Sequence, residues 1–143
     1  GAVAGLVAIT PASGYVGPMS AAIIGAVAGG VCYGGIMLKA KLGYDDSLDV
    51  VGIHGLGGVW GALATGLFAS KAVNPAAADG LFFGNPAQFA TQLITVLVTL
   101  IFAFVMTSLI LILLKSTIGL RVSEEEEMKG LDISLHNETG YSN

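Results

Sequence analysis

The chain has 143 residues, 54% hydrophobic and only 11% charged, with a mean hydropathy of +0.79, whereas soluble domains carry about 25% charged residues; this is the composition of an integral membrane protein. Its formal charge of -4 comes largely from Glu124-Glu125-Glu126-Glu127, and without a basic face to neutralise phosphates a nucleic-acid partner is excluded. Cys32, the single cysteine, lies in an apolar segment, which excludes an internal disulfide or a cysteine-based zinc cluster and leaves it a small buried filler.

Residues 1–10 are apolar and small, without a basic flank and too short to span a bilayer. They read as the cut end of a helix, so the chain is expected to be the C-terminal part of something longer. Thr10-Pro11-Ala12-Ser13-Gly14-Tyr15 follows as a turn, with Tyr15 suited to a membrane interface. The charge-free stretch 18–38 has the length of a span. Within it Gly25 and Gly29, and Gly30 and Gly34, stand at the Gly-x-x-x-Gly spacing, which clears a helical stripe so that a neighbouring backbone can approach.

Lys39 and Lys41 close that span, and Gly43-Tyr44-Asp45-Asp46-Ser47 forms a short loop. Asp46 or Ser47 can cap the next helix, with Asp49 expected in its first turn. The second full span runs over about 49–70, and its glycines at 52, 55, 58 and 61 give it a small cross-section. Glycine is a weak helix former, so Gly55 and Gly58 are expected to serve close helix packing. Residues 71–85 form a loop rich in Ala, Pro, Asn and Gly. A last apolar span over 87–114 is longer than an average bilayer needs, so tilt or projection is expected.

The fold expected is all-α and polytopic: membrane region 1–115, with three full transmembrane helices and a partial first one, then a tail over 116–143. Lys39, Lys41, Lys115, Arg121 and Lys129 fall on one side of the spans and Lys71 on the other. The positive-inside tendency places the Tyr44 loop and the C-terminus in the cytoplasm of a plasma-membrane protein.

His54 lies within the second full span, roughly 7 Å beyond Asp49 by helical rise. Even permissive scales charge about 2.5 to 3.5 kcal/mol for a cationic side chain at mid-membrane, so an ionisable group there reads as functional and facing protein or a water-lined cavity. A metal role is unsupported, because no His, Cys or carboxylate follows at i+3 or i+4. Enzyme chemistry is unsupported too: there is no nucleophile beside a base and no phosphate-binding Gly-Lys-Ser/Thr loop. No cofactor is expected.

Asp45-Asp46-Ser47-Leu48-Asp49-Val50-Val51-Gly52-Ile53-His54-Gly55-Leu56-Gly57-Gly58 resembles the late membrane helix of ammonium transporters of the Amt/Mep family. Gly5-Leu6-Val7-Ala8-Ile9-Thr10-Pro11 at the start is similar to the same family. So is the tail, with Gly119-Leu120-Arg121-Val122-Ser123, Glu124, Glu125, Glu126, Glu127 and Gly130-Leu131-Asp132. The resemblance implies the last three and a half helices of an eleven-helix inverted-repeat fold. It implies that His54 is one of two pore histidines, that Val50 is an apolar pore-wall position, and that Asp46 and Asp49 stand at the cytoplasmic start of the pore helix, as vestibule acids or caps. It further implies a homotrimer, the remaining N-terminal helices as partners, and a regulatory tail that a PII-type signal protein can meet. The tail should start a helix at Ser123, with Glu126 completing a capping box.

Ammonium avoids the cost of crossing hydrocarbon by leaving its proton behind and crossing as ammonia. A neutral imidazole suits that route, since one ring nitrogen donates and the other accepts a hydrogen bond, and apolar surroundings favour the neutral ring. The leading function is ammonium or ammonia transport through a hydrophobic pore with a histidine relay. The alternatives are an ammonium sensor and a non-transporting membrane assembly module whose tail binds a regulatory partner.

Overall fold

The computed structural model describes residues 1–140, and among these every regular element is helical. Helix α1 (Ala2–Ile9) runs into a 3-10 turn over Thr10–Ala12, where the Thr10 hydroxyl donates to the Leu6 carbonyl at 2.6 Å. Helix α2 (Pro18–Leu42) starts on a proline, whose missing N–H costs nothing in a first turn. It ends at Gly43, whose φ of +68° lets its N–H return to the Lys39 carbonyl. A π turn over Val51–Gly55 leads directly into α3 (Leu56–Phe68). Then come α4 (Pro86–Thr117), α5 (Glu124–Lys129) and α6 (Leu131–His136).

Among the described residues three helical stretches are long and apolar enough to cross a membrane: α2, the continuous Val51–Phe68, and α4. They correspond to the three spans expected from hydropathy. The 32 residues of α4 rise about 48 Å, well over the roughly 30 Å of a hydrocarbon core.

The chain divides into two units, Gly1–Leu100 and a second beginning at Ile101. In the first, α1, α2 and α3 pack against one another over a core of small side chains. Ala8, Ala12, Ile24, Ala28 and Ala64 are fully buried, with Ile9, Val16, Trp60 and Phe68 against them. The buried stripe of α2 is Ile24, Ala28, Cys32 and Gly35, at helical spacing. Lipid tails are as apolar as leucine, so van der Waals contact between closely approaching backbones is what holds such helices together. Trp60 adds a polar tie, donating its indole N–H to the Ile24 carbonyl at 3.0 Å.

Within this chain close approaches fall on Gly35, Gly66 and, from the glycine series of the second span, Gly52 and Gly61, and not on the Gly-x-x-x-Gly pairs or on Gly55 and Gly58. Among the described residues nothing lies within 4 Å of where a Cβ would stand on Gly25, Gly29, Gly30, Gly34 or Gly58, and Gly55 meets only Val51 of its own turn. A Cβ on Gly35 would come within 3.0 Å of the Gly52 Cα, and one on Gly52 within 3.1 Å of the Ile36 amide nitrogen. A Cβ on Gly61 would strike the Ala8 carbonyl oxygen, and one on Gly66 would reach the Phe89 Cα at 3.0 Å. The reason is register: Gly35 continues the buried stripe of α2, whereas the Gly-x-x-x-Gly pairs lie on other faces of that helix.

In the second unit, Ser123 and Glu126 form the expected capping box. The Glu126 carboxylate takes the Ser123 amide at 2.9 Å and the Ser123 hydroxyl accepts the Glu126 amide at 3.3 Å. Arg121 donates from Nε and Nη2 to the two oxygens of Glu127 at 2.6 and 2.8 Å.

Candidate functional site

The site is built from the loop before the π turn. Asp46 accepts the Val50 amide on one carboxylate oxygen and the Val51 amide on the other, both at 2.8 Å. It thereby satisfies two amides that a helix start leaves without partners. Ser47 donates instead to Asp45 at 3.4 Å, so of the two candidate caps Asp46 takes the role. Asp49 is not in the first turn. It precedes the helix with a left-handed backbone, φ +55°. Its carboxylate pairs with Lys39, and its carbonyl accepts the Ile53 amide at 2.8 Å.

Nothing in the residue pattern marks the π turn. Leu56 donates to the carbonyl five residues back, at Val51, which is the wide hydrogen bond of that geometry. The Ile53 carbonyl also receives the Cys32 thiol, at 3.6 Å, so Cys32 is a weak donor as well as a filler. Gly52 permits the turn to lie against the α2 backbone at Gly35 and Ile36.

His54 follows Ile53, and its side chain is exposed in this chain. Together with Val3, Leu6, Val7, Thr10 and Pro11 it lines a groove of about 460 Å³. The α1 wall follows from spacing, since residues 3, 6, 7 and 10 share one helical face; the sequence carried that stripe, but nothing in it named the partner across the groove. Val50 is half exposed and is not among the groove's lining residues.

The tail residues named from the sequence lie in the second unit. Arg121 is paired with Glu127, and Glu126 with Ser123 in the capping box. Gly130 has φ +96°, a backbone that glycine adopts without strain, and Asp132 accepts the Gly140 amide at 3.2 Å. Glu124 and Glu125 occupy the first turn of α5, where its unpaired amides favour anions. The Ser123 hydroxyl and amide hold the Glu126 carboxyl below the usual glutamate range, and the Arg121 guanidinium does the same for Glu127.

A profile of the Ammonium Transporter Family matches residues 1–141. The ammonium transporter of Bacillus subtilis (strain 168) is 49% identical over 142 residues, covering 99% of this chain and 35% of that protein. Ammonium transporter Amt1 of Archaeoglobus fulgidus is 47% identical over 142 residues, with 99% of this chain and 36% of that protein covered. The crystal structure of Saccharomyces cerevisiae Mep2 superposes with a TM-score of 0.80 at 36% identity, over 86% of this chain and 29% of that one. The chain thus spans about a third of the length of these relatives.

Proposed function

The chain belongs to the Ammonium Transporter Family, and on that premise we propose that it forms part of a membrane path for ammonium or ammonia in which His54 is the working polar group. The observation that carries this reading is the groove. An imidazole stands on a wall otherwise made of Val3, Leu6, Val7, Thr10 and Pro11, in a helix long and apolar enough to cross a membrane.

The chemistry follows from solvation. Such a wall offers little to an ammonium ion, and the cost of carrying its charge across hydrocarbon falls away if the proton is left behind. The ammonia that remains is a small donor and acceptor, which an imidazole can match with one nitrogen of each kind. A second histidine elsewhere in a complete transporter would let the pair relay the proton. Val50, at the cytoplasmic start of the helix, would present apolar surface near the exit. In this reading Asp46 acts as a cap, because both its oxygens are taken by amides, and a direct vestibule role is not needed.

The wider assembly is part of the same proposal: a homotrimer in the plasma membrane, with the Tyr44 loop and the C-terminus cytoplasmic. The acidic tail would be the surface met by a PII-type signal protein.

Uptake of radiolabelled methylammonium into vesicles holding the complete transporter tests the role of His54. General acid-base groups contribute about 100-fold or more, so His54→Ala should lower uptake per transporter by at least about tenfold while protein abundance is maintained. Unchanged uptake in His54→Ala would overturn the reading. Saturable binding without flux in the parent protein would favour the sensor.

A further inference from the structure

Lys39, in the last turn of α2, joins two residues of the loop that starts the His54 helix. Its ammonium pairs with the Asp49 carboxylate and donates to the Asp46 main-chain carbonyl at 2.8 Å. The paired side chains are only 23% and 30% exposed, so this is not the freely solvated kind of pair that contributes little. Asp49 also holds a left-handed backbone, φ +55°, a conformation that aspartate enters more readily than most L-residues but still at some cost. A salt bridge from a neighbouring helix helps to hold it there.

The consequence passes along the chain through hydrogen bonds already described. The Asp49 carbonyl accepts the Ile53 amide at 2.8 Å, and the Ile53 carbonyl accepts the Cys32 thiol at 3.6 Å. Ile53 is therefore held at its nitrogen by Asp49 and at its oxygen by α2, and His54 is the next residue. Releasing Asp49 would free one of these two holds while leaving the apolar packing of α1, α2 and α3 intact.

We infer that the Lys39–Asp49 ion pair is a positioning latch, which fixes the left-handed residue before the π turn and through it the placement of His54. Lys39 and Asp49 are positioning residues in this account. The inference rests on the proposed role of His54 for its effect on transport, but the latch itself has a readout that does not depend on transport. Cys32 is the chain's only cysteine, it is buried, and its thiol reports on the π turn it bonds.

The test uses the complete transporter in vesicles, with Cys32 as its only thiol. Lys39→Met keeps the length of the side chain and removes its charge, Asp49→Asn removes charge from a residue type that still tolerates φ above zero, and Lys39→Arg keeps the charge. Misplacing a reacting group by an ångström can cost about 100-fold. Lys39→Met should therefore lower the maximal methylammonium uptake rate per transporter by about tenfold, with the half-saturating concentration unchanged, and Lys39→Arg should retain most of the rate. Asp49→Asn should lower the rate in the same way, and the double variant should be no slower than the slower single, because coupled residues do not add. Alkylation of Cys32 by N-ethylmaleimide should quicken by about tenfold in Lys39→Met, as local opening becomes cheaper. Unchanged alkylation, or independent addition of the two single effects, would overturn the latch. Flux indifferent to His54→Ala, with alkylation still quickened by Lys39→Met, would instead overturn the transport role and leave the latch standing.

Discussion

Ser123, Glu126, Arg121 and Glu127 form a small polar device whose pH response has a definite sign. Both carboxyls are held below the usual glutamate value, Glu126 by the Ser123 hydroxyl and amide and Glu127 by Arg121. A carboxyl whose folded value is depressed binds its proton more readily when unfolded, so its contribution to order is full above the ordinary value of 4.5 and fades as pH falls through the lowered one. Amide exchange over 123–129 in the complete protein should therefore be flat from neutrality to about pH 5 and accelerate in excess of intrinsic exchange below about pH 4. The Arg121 pairing should also weaken in high salt, since Glu127 is solvent-facing. Protection that stays constant down to pH 3 would show that these contacts do not hold α5. The capping box could be read from Ser123 and Glu126 standing three apart. The Arg121–Glu127 pair could not, because it depends on how the chain turns at Gly119 and Leu120, where Gly119 has φ +84°.

At the level of helices, the first unit is organised by which glycine a neighbouring backbone meets. Gly61 and Gly58 lie one turn apart on α3, yet only Gly61 touches another helix: a Cβ there would strike the Ala8 carbonyl oxygen, whereas one on Gly58 meets nothing within 4 Å among the described residues. A backbone carbonyl cannot rotate away as a side chain can. Gly61→Ala should force α1 and α3 apart at a cost of about 3 kcal/mol, the upper range for overpacking, while Gly58→Ala should leave their contact unchanged. Thermal unfolding of both variants in detergent checks the contrast, and equal melting would refute it. Sequence spacing could propose a small-residue face but could not select the register. In α2 the buried line is Ile24, Ala28, Cys32 and Gly35, of which only the last is a glycine. The π turn was equally hidden: it packs at Gly52 against Gly35 and Ile36 of α2, a tertiary contact that residue spacing does not announce.

For the molecule as a whole, the number of helices long and apolar enough to span was legible because hydropathy and length alone decide it; the helices α2, Val51–Phe68 and α4 differ from the expected stretches by a few residues at their ends. The groove was only half legible: His54 stood out as a charge-capable group at membrane depth, but its neighbours come from α1, over forty positions away. Sidedness rests on charge, and here the sequence pattern and the hydrogen bonding pull on different residues. Lys39 is committed to Asp49 and Asp46, which reduces its weight as a free cytoplasmic charge, while Lys41, Lys115 and Lys129 keep theirs. Each remaining Lys or Arg near an anionic cytoplasmic leaflet contributes about 1 kcal/mol, so several against Lys71 alone still favour a cytoplasmic Tyr44 loop. In the proposed orientation the loop over 71–85, with spans on either side, faces outward. Single cysteines at Ser47 and Ala76, in the complete transporter with Cys32 replaced by alanine, should separate cleanly. An impermeant maleimide should label Ala76→Cys in intact cells and reach Ser47→Cys only after the membrane is opened. The reverse pattern would invert the topology and move the acidic tail, with its capping box, to the outside of the cell.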